Sequence, residues 1–181
     1  MNNSANNNKI MENMETNSTT INTVTENNSK LDPRTTWLSP HFRLIEFTRS
    51  GVATDKGIDN TPGKEEIEAL RALCDNILEP MRRRFGAIYI SSGYRCRRVN
   101  NAVGGVMNSQ HMRGEAADIL LSTFADWRDA VRFVQGLDFD QVLVEPLHGA
   151  KARWLHVSYT TRHRNRHFLS VGERDMAVRK P

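Results

Sequence analysis

One run limits this chain more than any other. In "TPGKEEIEALRALCDNILEPMRRRFG", residues 61–86, the apolar Ile67, Leu70, Cys74, Ile77, Leu78, Met81 and Phe85 recur at steps of three and four. That period lays an apolar stripe along one side of a helix, and a stripe of this length must be covered by a second layer. Thr61 and Pro62 supply a start and Gly86 a stop. Pro80 predicts a kink or division, because its ring removes an amide hydrogen and crowds the preceding turn. Four short runs rich in β-branched residues can provide the cover: "AIYIS", "ADILL", "QVLVE" and "WLHVSY". A further helix is expected in "STFADWRDAVRFVQGL", with Phe124, Trp127, Val131 and Val134 in phase and Gly136 as its end. The expected architecture is α+β, a single domain with helices packed on a small mixed or antiparallel sheet.

The domain is expected over residues 33–162. Before it, residues 1–32 form an Asn-rich tail: ten of the first thirty residues are asparagine, and the apolar ones follow no period. Such a segment buries too little surface to offset its ordering entropy, so disorder is expected there. Composition shifts at "WLSPHFRLIEF", where Ser39 and Pro40 predict the cap and first turn of a short helix through about Phe47. "SGVATDKGIDNTPG" reads as a loop. Residues 163–181 are expected as a basic extension, since residues 151–181 hold eight Lys or Arg against two acids, a local balance of +6 within a net charge of +4. Basic patches favour anionic partners, but no nucleic-acid-binding motif accompanies them. No run approaches the roughly 18 apolar residues of a membrane span, and no secretory signal is readable at the start. Cys74 and Cys96 are too few for a disulfide framework, so reduced thiols are expected.

"NSQHMRGEAAD" raises a geometric question, because His111 and Asp118 stand seven residues apart. On a straight helix that separation is about 10.5 Å, and in a strand it exceeds roughly 20 Å with the side chains on opposite faces. Two ligands of one metal ion must bring their donors to about 2 Å from it. The segment must therefore bend, and Gly114 supplies a residue free to take positive φ, folding the loop that carries His111 onto a strand beginning at Asp118. In "RWLHVSY", alternation places Trp154, His156 and Ser158 on one face and Leu155, Val157 and Tyr159 on the other. Two imidazoles and one carboxylate, with a fourth position left for water, make a catalytic zinc set. The alternative for His156 alone is a buried histidine hydrogen-bonded to a neighbour.

"SSGYRC", "NNAVGGVMNSQHMRGEAADI" and "WLHVSY" together resemble the zinc D-Ala-D-Ala carboxypeptidase family of peptidoglycan peptidases, in its phage and bacterial cell-wall hydrolase branch. That zinc fold is shared with the Hedgehog signalling domain. The resemblance implies a D,D-peptidase-like α+β fold holding one Zn2+ ion on His111, Asp118 and His156. It implies a peptidoglycan peptide as substrate, cut by carboxypeptidase or endopeptidase action. Arg95 matches the family arginine that contacts substrate near the metal, while Ser109, Gln110 and Tyr94 are candidates for orienting ligands or binding peptide. Many members carry an acid three residues before the last histidine, where this chain has Arg153. Glu145, ending "FDQVLVE", is the nearest acidic candidate for the general base, with Glu115 and Asp140 as alternatives. A hairpin through residues 146–153 would bring it to the site. The rival reading is a catalytically inactive zinc-containing binding module of Hedgehog type. A monomer is expected, made in the cytoplasm and acting on the cell wall after release by another route. His41, His148, His163 and His167 are expected to be solvated, His148 near the mouth of the site.

Overall fold

The computed structural model describes residues 31–145, 154–162 and 167–169. Its periodic run is helical from α3 (Lys64–Leu73) through a π-helical turn (Cys74–Leu78) to α4 (Glu79–Phe85). Of the expected stripe, Ile67, Leu70, Cys74, Ile77, Leu78 and Met81 lie in the core, joined by Leu73, while Phe85 is only partly buried against it. Helix α3 starts at Lys64 rather than at the Thr61–Pro62 pair, because the Glu66 carboxylate reaches back 2.9 Å to accept from the Gly63 amide. The run is divided as expected near Pro80, which lies in the first turn of α4, but helical backbone continues across the division. The wider π turn just ahead of it, in which the Glu79 amide bonds to the Cys74 carbonyl, absorbs the missing donor and lets the helix continue. Gly86, with φ 81°, ends it as expected.

Two sheets receive these helices. A small hairpin pairs β1 (Trp37–Ser39) with β2 (Phe42–Arg43). The larger sheet has the order β3-β4-β6-β5-β7, from β3 (Ile90–Ser92), β4 (Ala116–Leu120), β5 (Gln141–Glu145), β6 (Trp154–Ser158) and β7 (His167–Leu169). It is mixed, antiparallel except where β7 lies parallel to β5, so its fifth strand comes from the stretch expected as a basic extension. Period-two alternation sorts its two faces. Ala117 and Ile119, Leu155 and Val157, and Val142 and Val144 enter the core with the helical stripe. The opposite face carries Asp118, His156 and Leu143. Helix α6 (Trp127–Gln135), capped by Asp126, joins the same core, and Phe85 meets Phe124 and Phe133 edge-on with ring centroids 5.4 Å apart.

The structure corrects the N-terminal part of the domain. Ser39 and Pro40 turn a hairpin instead of starting a helix, and α1 spans only Leu44–Thr48. The cause lies forty residues away: the buried Glu79 carboxylate accepts from the Ser39 hydroxyl at 2.7 Å and from the His41 amide at 2.9 Å, with His41 Nδ1 2.8 Å from its other oxygen. His41 is thus partnered rather than merely solvated. Burial pushes the Glu79 carboxyl up, but these hydrogen bonds outweigh it and hold the group below the usual range. Part of the expected loop is helix α2 (Gly51–Asp55), set by the Ser50 hydroxyl accepting from the Ala53 amide. Helix α5 (Arg97–Ala102) carries no apolar period and was not expected; it buries only Val99 and Asn100. Cys74 and Cys96 are free. Among the described residues, no helix is long and apolar enough to cross a membrane.

Candidate metal centre

Three elements each contribute one ligand candidate. Asp118 is the third residue of β4, not the first as expected, and His156 the third of β6; the antiparallel register sets them directly opposite each other. Opposed residues share a face, so pairing alone brings these side chains together. His111 comes from a 3₁₀ turn, Gln110–Arg113, that ends at Gly114 with φ 69° and ψ 14°. The left-handed glycine anticipated from the sequence is therefore the device that reverses the chain. Any larger residue there would also collide with α3, since a Cβ would fall 2.3 Å from the Glu66 carbonyl oxygen. The turn is fastened at both ends: the Glu115 amide donates to Gln110 O at 3.0 Å, and the Arg95 amide to His111 O at 3.1 Å.

The donor atoms converge. His156 Nδ1 lies 2.9 Å from Asp118 Oδ1, His111 Nε2 lies 3.2 Å from the same oxygen, and the two nitrogens are 3.3 Å apart. A tetrahedral zinc ion with bonds of about 2.0–2.1 Å holds its ligands about 3.3 Å from one another, so the triangle fits such an ion. Donor accounting agrees. His111 Nδ1 is 2.6 Å from the Gly93 carbonyl, which can only accept, so Nδ1 carries the proton and Nε2 presents its lone pair to the centre. A lone pair aimed at a carboxylate oxygen in a buried site calls for a cation between them.

The charges are tuned for the same purpose. Burial pushes the His111 imidazole below its ordinary value, with help from His156 and Arg95 and against the pull of Asp118, which keeps its nitrogen available. Burial alone would raise the Asp118 carboxyl, yet the two histidines hold it far below the usual carboxylate range. Arg95 supports the ligand directly: Nη2 donates to Asp118 Oδ2 at 2.8 Å and Nε to the Ser92 hydroxyl at 2.9 Å. The ion therefore meets an anionic oxygen already oriented from behind.

The profile of one protein family, described as Peptidase M15, matches residues 40–158, which is well over half of the chain and contains all three ligand candidates. The chain belongs to the peptidase M15 family. This is the family of zinc D-Ala-D-Ala carboxypeptidase-like enzymes, and its zinc requirement matches the donor set described above. No curated protein matches the sequence.

Beside the metal centre of this M15 peptidase opens a cleft of about 740 Å3, lined among others by Arg49, Ser92, Tyr94, Arg95, Val99 and Trp154. Arg95 thus faces both the cleft and Asp118. Tyr94 is nearly buried, and burial with nearby Glu66 pushes its phenol up to about 12, so it stays protonated at neutral pH. Ser109 and Gln110 lie outside this lining. Ser109 is buried beneath the 3₁₀ turn, and the Gln110 amide donates to Asp140 Oδ2 at 2.6 Å, which anchors the His111 turn to the start of β5. Gln110 therefore steadies the turn that carries His111.

The three acidic candidates separate clearly. The Glu115 carboxylate is held by Arg113 at 2.8 Å and by Arg162, and that of Asp140 by Gln110. Glu145 pairs in register with Trp154, two rows along the sheet from the Asp118–His156–Leu143 row, so its side chain shares the ligand face. Residues 146–153, including His148 and Arg153, on which the hairpin was expected, lie outside the described residues, as does His163. Asn60, in the segment read as featureless, was missed altogether. Its buried amide donates to the carbonyls of Thr48 and Tyr94 and its oxygen accepts from the Cys96 amide, bracing the Gly93–Cys96 turn that carries Arg95. An isolated asparagine in a polar loop gives no periodic signal by which to find it.

Proposed function

We propose that this chain is a zinc peptidase that hydrolyses amide bonds in the stem or cross-link peptides of peptidoglycan, working as a monomer on the cell wall. The observation that carries this reading is the convergence of two imidazole nitrogens and one carboxylate oxygen beside an open cleft. Bound there, zinc supplies a Lewis acid that acidifies water and polarises a carbonyl. The chain supplies the rest. Glu145 accepts the proton of the attacking water and passes it to the leaving amine, a role supported by its place on the ligand face. Arg95 fixes Asp118 and presents positive charge to the carbonyl oxygen as it becomes anionic.

Arg153, standing where many relatives carry an acid, favours one rival: a zinc-containing binding module without activity. Purified protein incubated with defined muropeptides, with and without chelator, separates the two when products are read by mass. The peptidase reading expects chelator-sensitive cleavage, reduced about 10²–10⁴-fold in Glu145→Gln with metal content unchanged. Binding without any cleavage establishes the module instead, and full activity in Glu145→Gln removes that residue from the mechanism.

A further inference from the structure

Arg49 has no role in the chemistry described above. It lines the cleft together with Arg95, and its guanidinium is tethered, Nη2 donating to the Ile90 carbonyl at 3.3 Å. Arg95 is tethered two residues further along the same strand, on the Ser92 hydroxyl. Strand β3 thus tethers both guanidinium groups, Arg49 through the main-chain oxygen of Ile90 and Arg95 through the side-chain oxygen of Ser92. Their partners differ. Arg95 is neutralised by Asp118, whereas among the described residues no carboxylate pairs with Arg49. An unpaired, pre-anchored guanidinium in a cleft is a carboxylate receptor, because its fork matches the two oxygens and little side-chain freedom remains to be lost on binding. Val99 and Trp154 give the same cleft an apolar wall.

We propose that Arg49 is a specificity-determining residue that binds a free carboxylate of the substrate peptide, so that the cleft selects peptides carrying that carboxylate. This rests on the peptidase reading above and names the substrate feature that site would select. A peptide amidated at that carboxylate loses the interaction.

The test compares a peptide bearing the free carboxylate with its amidated twin, both as substrates of the zinc-loaded enzyme and as ligands of zinc-loaded Glu145→Gln in calorimetry. Expected is a preference of about tenfold or more for the free acid, the worth of a charge-assisted hydrogen bond, expressed in KM and in affinity. That preference should vanish in Arg49→Gln and return in part in Arg49→Lys, with metal content unchanged. Equal binding of the twins by the parent protein, or a preference that survives Arg49→Gln, overturns the proposal. If neither peptide is cleaved but the free acid still binds through Arg49, the peptidase reading fails while the carboxylate site stands.

Discussion

At the scale of single residues, the centre depends on side chains that never touch the ion. His111 is aimed by the Gly93 carbonyl, and its turn is anchored through Gln110 to Asp140. Outer partners of this kind are worth about 10–100-fold in metal affinity. Asp140→Asn, which removes the charge and keeps the shape, should therefore weaken zinc binding by about tenfold in a competition titration against a chromophoric chelator, with the fold retained by circular dichroism. The ligands themselves were legible in the sequence, because the imidazole and carboxylate types, a bend-permitting Gly114 and the alternation around His156 each carry a local signal. Asp140, Asn60 and Arg49 were not. Their roles come from partners 30 or more residues away for Asp140 and Arg49, and from three separate backbone groups for Asn60, none of which leaves a local pattern.

At the scale of elements, long periodic segments and β-branched runs declared themselves, and short elements fixed by one polar contact did not. The β1–β2 hairpin is the clearest case: Ser39–Pro40 is a sound helix start in isolation, and only the buried Glu79 carboxylate makes it a turn. That contact has a pH signature. Because the folded carboxyl sits below its ordinary value of 4.5, its contribution is complete above about pH 4.5 and is lost as pH falls toward the folded value, where the native group must also take up a proton. Glu79→Gln should lower stability at neutral pH by about 1–3 kcal/mol and flatten its fall with acidification below pH 4.5, as read by urea denaturation across a pH series. Helix α2 follows the same rule on a smaller scale, its start set by a single serine.

For the whole molecule, the two sheets and the helical layer form one scaffold whose larger sheet buries one face and devotes the other to chemistry. An ion that binds the folded chain and not the unfolded one stabilises it by mass action, about 4 kcal/mol at a thousandfold excess over the dissociation constant. Chelation should accordingly lower the melting temperature by several degrees, reversibly, with recovery on adding zinc. The pairing of β4 with β6 carries a further meaning. Slipping one strand past the other by a single residue turns every side chain of that strand over, so Asp118 would point into the oily interior and His156 would face nothing. Only correctly zipped molecules can thus take up the ion, and the fraction of chains carrying zinc is a direct count of those whose sheet has closed in step.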